Sequence, residues 1–267
     1  MKGEIVMTQT IALAQCSSGN LIEENLQKAT IYMDKARQGG AFLIVFPEYF
    51  MMAYNAPAYV KEAQTLDGPF VSRMKELARS YHLWTLFGIN ESADDAHADK
   101  CYNTLVLIDS SGQLKGSYRK THLFDAFHWK ESDLTLPGTE IFTPIDTPAG
   151  KLGLGTCFDL RFPELARRQA QLGAQLIIYP AAWVNGDGKD VQWKTLLAAR
   201  AIENGMYAIG CSQYTPDTYM GKSFASDPFG KVLAEGGSGE ELLFVSVDCT
   251  QSDYARTLIP SLPSELL

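Results

Sequence analysis

The sequence predicts an α/β fold: a four-layer α-β-β-α sandwich in which two mostly buried sheets face each other and helices cover the outside. Three observations predict it. Apolar runs alternate with segments of helical periodicity, the pattern of βαβ units. The run Phe42-Leu-Ile-Val-Phe46 is apolar throughout, as a parallel strand covered on both faces requires. The chain also echoes itself. Gly40-Ala-Phe-Leu-Ile-Val-Phe-Pro47-Glu-Tyr-Phe50 resembles Gly173-Ala-Gln-Leu-Ile-Ile-Tyr-Pro180-Ala-Ala-Trp183, and Val106-Leu-Ile-Asp-Ser-Ser-Gly112 parallels Phe224-Ala-Ser-Asp-Pro-Phe-Gly230. With no linker between the halves and no GxGxxG loop, residues 1–267 read as a single domain with an internal pseudo-twofold repeat, not as two dinucleotide-binding domains.

In order, Thr10–Cys16 reads as the first core strand; its apolar run is too short for a secretion signal. Asn20 is placed to cap a helix with apolar positions Ile22, Leu26, Ala29, Met33 and Ala36, which Gly39 and Gly40 stop. Phe42–Phe46 is the next strand and breaks at Pro47-Glu48. Pro69 opens a second helix with Phe70, Met74, Leu77, Ala78 and Tyr81 on one face. Leu83–Ile89 is a strand, Ala93–Lys100 a solvated loop, and Asn103–Asp109 and Gln113–Lys120 pair across a Ser-Gly turn. Ala126–Pro148 lacks periodicity and reads as a long ordered loop, a common place for function. After it come a strand through Leu152 and Leu154, a helix from Pro163 to Gly173, and the strand Gln175–Tyr179. A helix over about Val191–Asn204, a strand at Tyr207–Cys211, a hairpin over Ser223–Glu235 and a strand at Leu242–Asp248 complete the pattern. The tail beyond Ser252 reads as a docked, proline-broken segment.

Composition narrows the function. A hydrophobic share of 46% with 20% charged residues is that of an ordinary globular chain able to bury a core, and no run approaches a membrane span. The net charge of −8, without a basic run, argues against nucleic acid and anionic membrane surfaces as partners. Five cysteines without a CxxC pair argue against a disulfide framework and point to a reducing, cytoplasmic setting. Four histidines, none paired at ligand spacing, leave no metal site to assemble.

The chemistry centres on Lys151-Leu-Gly-Leu-Gly-Thr-Cys157-Phe-Asp-Leu-Arg161-Phe-Pro163. This is a strand–turn–helix elbow that exposes Cys157 near a helix N-terminus, where backbone N–H groups favour a thiolate and later hold an oxyanion. An arbitrary cysteine is more often plain core, so the assignment requires a base. Glu48, a carboxylate placed directly after five apolar residues, is the candidate base, although a turn carboxylate satisfied by neighbouring N–H groups is the ordinary alternative. Lys120, at a strand end, is the candidate electrophile that with the Phe158 N–H stabilises a tetrahedral intermediate; most lysines in such places are solvated.

Together, Phe46-Pro-Glu48, Tyr118-Arg-Lys120-Thr-His-Leu-Phe124 and Gly155-Thr-Cys157-Phe-Asp-Leu-Arg-Phe-Pro-Glu164, in this order, resemble the signatures of the nitrilase superfamily of carbon–nitrogen hydrolases. The elbow resembles that of the amidase-like branches, ω-amidase and deaminated-glutathione amidase. The resemblance implies the four-layer sandwich, a Glu48–Lys120–Cys157 triad, no metal or organic cofactor, and a homodimer whose tail, Leu258–Leu267, crosses to its neighbour. It also implies that Glu131, in Lys130-Glu-Ser-Asp ahead of Pro137-Gly138, orients Lys120 and the substrate amide or assists proton transfer. Tyr54, Trp129 and Trp183 are candidate pocket walls or, equally, plain core. Two segments depart from those branches: Gly188-Lys-Asp-Val-Gln-Trp193 stands where they have Gly-x-x-His-Trp, and Gly221-Lys-Ser223 where they have Gly-His-Ser. The implied reaction is hydrolysis of a small carboxamide to an acid and ammonia through a thioester. Hydrolysis of a nitrile or N-carbamoyl amino acid or acyl transfer to a non-water acceptor on the same triad, and a non-catalytic interaction module, are the alternatives.

Overall fold

In the computed structural model, which describes residues 8–54 and 57–262, two mixed sheets pack face to face. The first has the strand order Glu241–Val247, Gln9–Gln15, Leu43–Val45, Trp84–Ser92, Cys101–Ile108, Leu114–Arg119. The second has the order Ile145–Thr147, Gly150–Leu154, Leu176–Ala181, Tyr207–Ser212, Phe224–Ser226, Val232–Glu235. Each has three parallel strands at its centre, an antiparallel strand on one flank and an antiparallel hairpin on the other. The echo in the sequence is thus a repeat of topology.

Alternation along each strand builds the layers. Ile11, Leu13, Leu43, Val45, Leu86, Leu105 and Leu107 point between the sheets and meet Leu152, Leu154, Leu176, Ile178 and Ile209. Ala12, Ala14, Ile44, Phe87 and Val106 point outward, under the helices α1 (Ile22–Gln38) and α2 (Pro69–Tyr81). On the far side, α3 (Pro163–Gln171) and α4 (Lys189–Asn204) cover the second sheet, and Trp193 and Leu197 of α4 press onto Gly210. Because Leu43, Ile44 and Val45 are buried on both faces, each contributes about 1.5–3 kcal/mol of transfer free energy.

The structure departs from expectation in three places. Asn20 caps nothing: α1 is entered through Leu21 with no capping side chain. Asn25, one turn inside, closes the entry by accepting from the Gly19 N–H at 2.8 Å and donating to the carbonyls of Gly19 and Met51. The segment after Ser252 continues a helix, α5 (Thr250–Leu258), and Ser261 then bonds to Arg167 and Glu203 of its own chain. Of the tail expected to cross to a neighbour, residues 263–267 lie outside the described residues. The long loop carries a short hairpin, Asp125–Ala126 with Trp129–Lys130, and a 3-10 turn, Glu131–Asp133. Among the described residues no helix is long and apolar enough to cross a membrane.

Candidate active site

Three strand ends of the two sheets open into one cavity. After Leu43–Val45 the chain turns at Pro47 so sharply that Tyr49 takes a φ of 57°. The turn lies against Gly88, where a Cβ would come within 2.8 Å of the Tyr49 nitrogen, so only glycine admits it. This close seat aims Glu48 inward. Lys120, next after Leu114–Arg119, is pinned on both sides: its N–H donates to the Asn103 carbonyl at 2.9 Å, and its own carbonyl accepts from Gly138 at 2.8 Å. Cys157 opens a 3-10 turn, Cys157–Arg161, with a φ of 45°. A non-glycine residue there stores strain of order 1–3 kcal/mol, which its surroundings must over-determine.

Asp159 does so. Fully buried, it accepts from the Thr156 N–H at 2.9 Å, the Tyr118 hydroxyl at 2.8 Å and the His122 N–H at 3.1 Å, with His122 Nδ1 at 2.7 Å. One carboxylate therefore ties the cysteine turn to the segment carrying Lys120.

The side chains meet in a closed polar cluster. Lys120 Nζ donates to Glu48 Oε1 at 2.9 Å and Glu131 Oε2 at 2.7 Å, and all three groups are at least 97% buried. Asn103 Nδ2 bridges the same two carboxylates at 2.7 and 3.0 Å. Glu48 Oε2 accepts the Ala182 N–H at 2.7 Å. Glu131 is further held by the Tyr49 hydroxyl at 2.6 Å and the Phe124 N–H at 2.7 Å. An ammonium has three donors and two are used here, which leaves one for a substrate oxygen. No acceptor outside its own 3-10 turn takes the Phe158 N–H among the described residues.

The charges follow from these contacts. Burial alone would drive the Lys120 pKa down, but the charges of Glu131 and Glu48 outweigh it and hold the ammonium well above the ordinary range. Burial pushes Glu131 up, and the charge and hydrogen bond of Lys120, with the donors Tyr49 and Phe124, bring it below the ordinary carboxylate range. Cys157 does not follow the expectation of a resting thiolate. Burial first, then the negative charge of Glu48, raises its pKa well above that of a free thiol, against the opposing pull of Lys120. The resting group is a protonated thiol beside a carboxylate. That arrangement can pass a proton from sulfur to oxygen as the sulfur attacks, without storing a free thiolate.

The cavity above the cluster encloses about 510 Å³ of empty space, its open mouth included. Tyr54, Trp129 and Trp183 line it, with Phe124, Arg161 and Lys189. Tyr54 and Trp129 lie with ring centroids 6.2 Å apart, and the Arg161 guanidinium sits 4.9 Å from the Trp183 ring. Among the described residues no group of three or more histidine, cysteine or acidic side chains is placed to hold a metal ion.

The sequence pattern of the family described as carbon–nitrogen hydrolase matches residues 10–256. The chain belongs to the carbon–nitrogen hydrolase family. It is 34% identical over 260 residues to the nitrilase and fragile histidine triad fusion protein NitFhit of Caenorhabditis elegans, matching 94% of this chain and 59% of that one. The chain thus spans under two thirds of the fusion protein, whose crystal structure superposes with a TM-score of 0.87 over 95% of this chain and 64% of that one, at 33% identity. It is 36% identical to the deaminated glutathione amidase of Rattus norvegicus, over 94% of this chain and 80% of the relative. A mutant amidase from Nesterenkonia sp. AN1, of the nitrilase superfamily, is similar at a TM-score of 0.82 and 26% identity, over 93% of this chain and 94% of that one. That structure carries the acetamide moiety of fluoroacetamide covalently at its active-site cysteine.

Within this hydrolase fold Glu48, Lys120, Glu131 and Cys157 line one cavity with the Phe158 turn and the three aromatic walls. Cys157 follows the first parallel strand of its half and Glu48 the second of its own, so they meet across the sandwich and not at matching positions. The sequence reading missed Tyr49, Asn103, the Ala182 N–H, Arg161 and Lys189. Tyr49 and Ala182 lie inside the echoed segments, and Lys189 inside Gly188-Lys-Asp-Val-Gln-Trp193, a segment already marked as a departure. Asn103 left no signal.

Proposed function

We propose that the protein is a cofactor-free amidase that cleaves the C–N bond of a small carboxamide through a thioester on Cys157. The observation that carries this reading is the buried Glu48–Lys120–Glu131 cluster, closed by hydrogen bonds of 2.7 and 2.9 Å, in the cavity that also holds the Cys157 thiol.

Glu48 takes the Sγ proton as sulfur attacks the amide carbon. The carbonyl oxygen becomes an oxyanion held by the spare Lys120 N–H and the Phe158 N–H; one such donor contributes about 3–4 kcal/mol to the transition state. Protonated Glu48 gives its proton to the amine, ammonia leaves, and the acyl group remains on sulfur. Glu48 then takes a proton from water, whose oxygen attacks the thioester. The acid departs, and Glu48 returns the proton to sulfur. Glu131 explains why Lys120 stays cationic while Glu48 is neutral: it is the counter-charge that does not change. Residues 1–267 act as one domain in this reading, in the cytoplasm and as a homodimer. Exposed Ile202, Phe229 and Tyr254, with the last two rings 6.1 Å apart, support an apolar subunit contact.

Ammonia release across carboxamides, nitriles and N-carbamoyl amino acids tests the proposal. Equal yields of ammonia and acid from amides, abolished in Cys157→Ser, are expected. Hydrolysis that survives Cys157→Ser would overturn it, and faster turnover of nitriles or carbamoyl compounds would reassign the reaction.

A further inference from the structure

The chain contains two Asn-Gly steps, and the structure treats them in opposite ways. Asn204-Gly205 ends α4 and is buried. The Gly205 N–H is taken by the carbonyls of Ala201 and Ile202, and the Asn204 amide reaches back to the Arg200 carbonyl at 2.9 Å. Asn185-Gly186 lies instead in the exposed loop between Val184, which lines the cavity, and the start of α4. Here the Gly186 N–H has no backbone acceptor among the described residues. It donates to Oδ1 of the Asn185 side chain itself, at 3.0 Å.

That contact sets the Gly186 nitrogen against the Asn185 side-chain amide, the two groups that close a cyclic imide. Gly186 stands at a φ of 155°, a backbone that glycine takes without strain, so no Cβ shields the nitrogen. Both residues line an open depression with Tyr214 and Asp217, where water reaches them. At Asn204 each of these conditions fails, and reaction there would first need the end of α4 to unfold. The exposed loop is also anchored on both sides of the step. The Asn185 N–H donates to the Thr218 carbonyl at 2.8 Å, and the Gly186 carbonyl accepts from the Lys189 N–H at 3.2 Å. Val184, just before it, forms a bridge with Tyr219, and both line the cavity.

We propose that Asn185 is a self-modifying site, which deamidates spontaneously and thereby loosens the cavity wall. The Gly186 nitrogen attacks Asn185 Cγ. The new C–N bond replaces the bond from Cγ to Nδ2, and ammonia leaves with the proton of the Gly186 nitrogen. Water then opens the imide. Cleavage between nitrogen and Cγ gives aspartate; cleavage between nitrogen and the Asn185 carbonyl carbon gives isoaspartate, whose main chain runs through Cβ and Cγ. Both products are anions, and isoaspartate also puts an extra carbon into the main chain between two anchored residues, which shifts Val184. The modification is independent of the amidase reading; its effect on turnover rests on that reading.

The test ages the full chain at mildly alkaline pH and follows each Asn-Gly peptide by mass spectrometry, with isoaspartate-specific methylation, beside kcat/KM for amides. Wild type is compared with Asn185→Gln, whose longer side chain closes an imide poorly. Asn185 is expected to convert roughly ten-fold or more faster than Asn204, because the buried step reacts only from a locally unfolded state. Isoaspartate should appear at Asn185, kcat/KM should fall in step with it, and Asn185→Gln should abolish both changes. An Asn185 that stays intact, or converts no faster than Asn204, would overturn the inference and leave the amidase intact. Full conversion with kcat/KM unchanged would overturn the loosened wall. Conversion at Asn185 in a protein that releases no ammonia from any amide when fresh would overturn the amidase and leave the modification site.

Discussion

The two halves of the sandwich carry a cysteine at corresponding ends of their first parallel strands, Thr10-Ile-Ala-Leu-Ala-Gln-Cys16 and Lys151-Leu-Gly-Leu-Gly-Thr-Cys157, and of the two Cys157 alone lines the cavity above the Glu48–Lys120–Glu131 cluster. Both thiols are held protonated, with burial as the first cause. They differ in the second cause. At Cys157 it is the buried Glu48 carboxylate. At Cys16 it is Lys28, which opposes burial and pulls the value back down, its half-buried ammonium 3.3 Å from Glu240. Beyond Cys16 the chain runs into α1 and covers the sulfur with Ala29 and Met33, whereas Cys157 is turned out at positive φ. A strand-end thiol is therefore not a nucleophile by position. The acid and the amine come from the first half, the sulfur from the second, and Ala181 stands in the second half where the first has Glu48. The repeat supplies two scaffolds, and the seam between them supplies one site.

Substitutions sharpen that contrast. The largest effect is Cys157→Ala, expected to cost on the order of 10⁶-fold in kcat, as nucleophile removal does elsewhere, while Cys16→Ala leaves kcat within two-fold of wild type by ammonia assay (a factor of about two is the scatter such comparisons tolerate). Glu48→Gln keeps the shape and removes the proposed base, for an expected loss of roughly 10²–10⁴-fold in single-turnover acylation. Lys120→Met leaves two buried carboxylates without their cation, and urea unfolding should show about 3–5 kcal/mol of lost stability besides inactivity.

Stability against pH separates the cluster from the rest of the core. Glu131 titrates below its unfolded value of about 4.3. Its contribution is therefore complete above that pH and is lost as pH falls through the folded value. Lys120 titrates above its unfolded value of about 10.4, so its contribution is complete below that pH and is lost as pH rises through the folded value. Unfolding free energies measured across this range should show both limbs, and Glu131→Gln should flatten the acid one. The smallest effect belongs to the counterpart thiol: Cys16→Ala should lower stability by roughly 1 kcal/mol through lost packing.

Much of this is legible in the amino-acid sequence. Strands buried on both faces leave continuous apolar runs, so the sheet cores stood out. Glu48 was conspicuous because a carboxylate directly after such a run needs partners, and the structure supplies Lys120, Asn103 and the Ala182 N–H. Glu131 was reached only through resemblance, since its turn has no periodicity. Asn103 was invisible, because one polar residue at the start of a strand resembles any other until its partners are known. Helix α5 escaped because its buried positions are Ser252 and Ala255, too small and polar to mark a hydrophobic face. Lys189 was hidden for a related reason: a lysine reads as solvated until a wall of aromatic rings is seen to cover it.

The central claim is that one sulfur, and not its counterpart in the other half, becomes acylated during turnover. Rapid acid quenching with a hydrolysable amide, followed by peptide mass spectrometry, tests it most directly. The account predicts the acyl mass on the peptide carrying Cys157, absent from the peptide carrying Cys16 and lost in Glu48→Gln. Ammonia released in a burst with no acyl group on Cys157, or an acyl group on another residue, would contradict it.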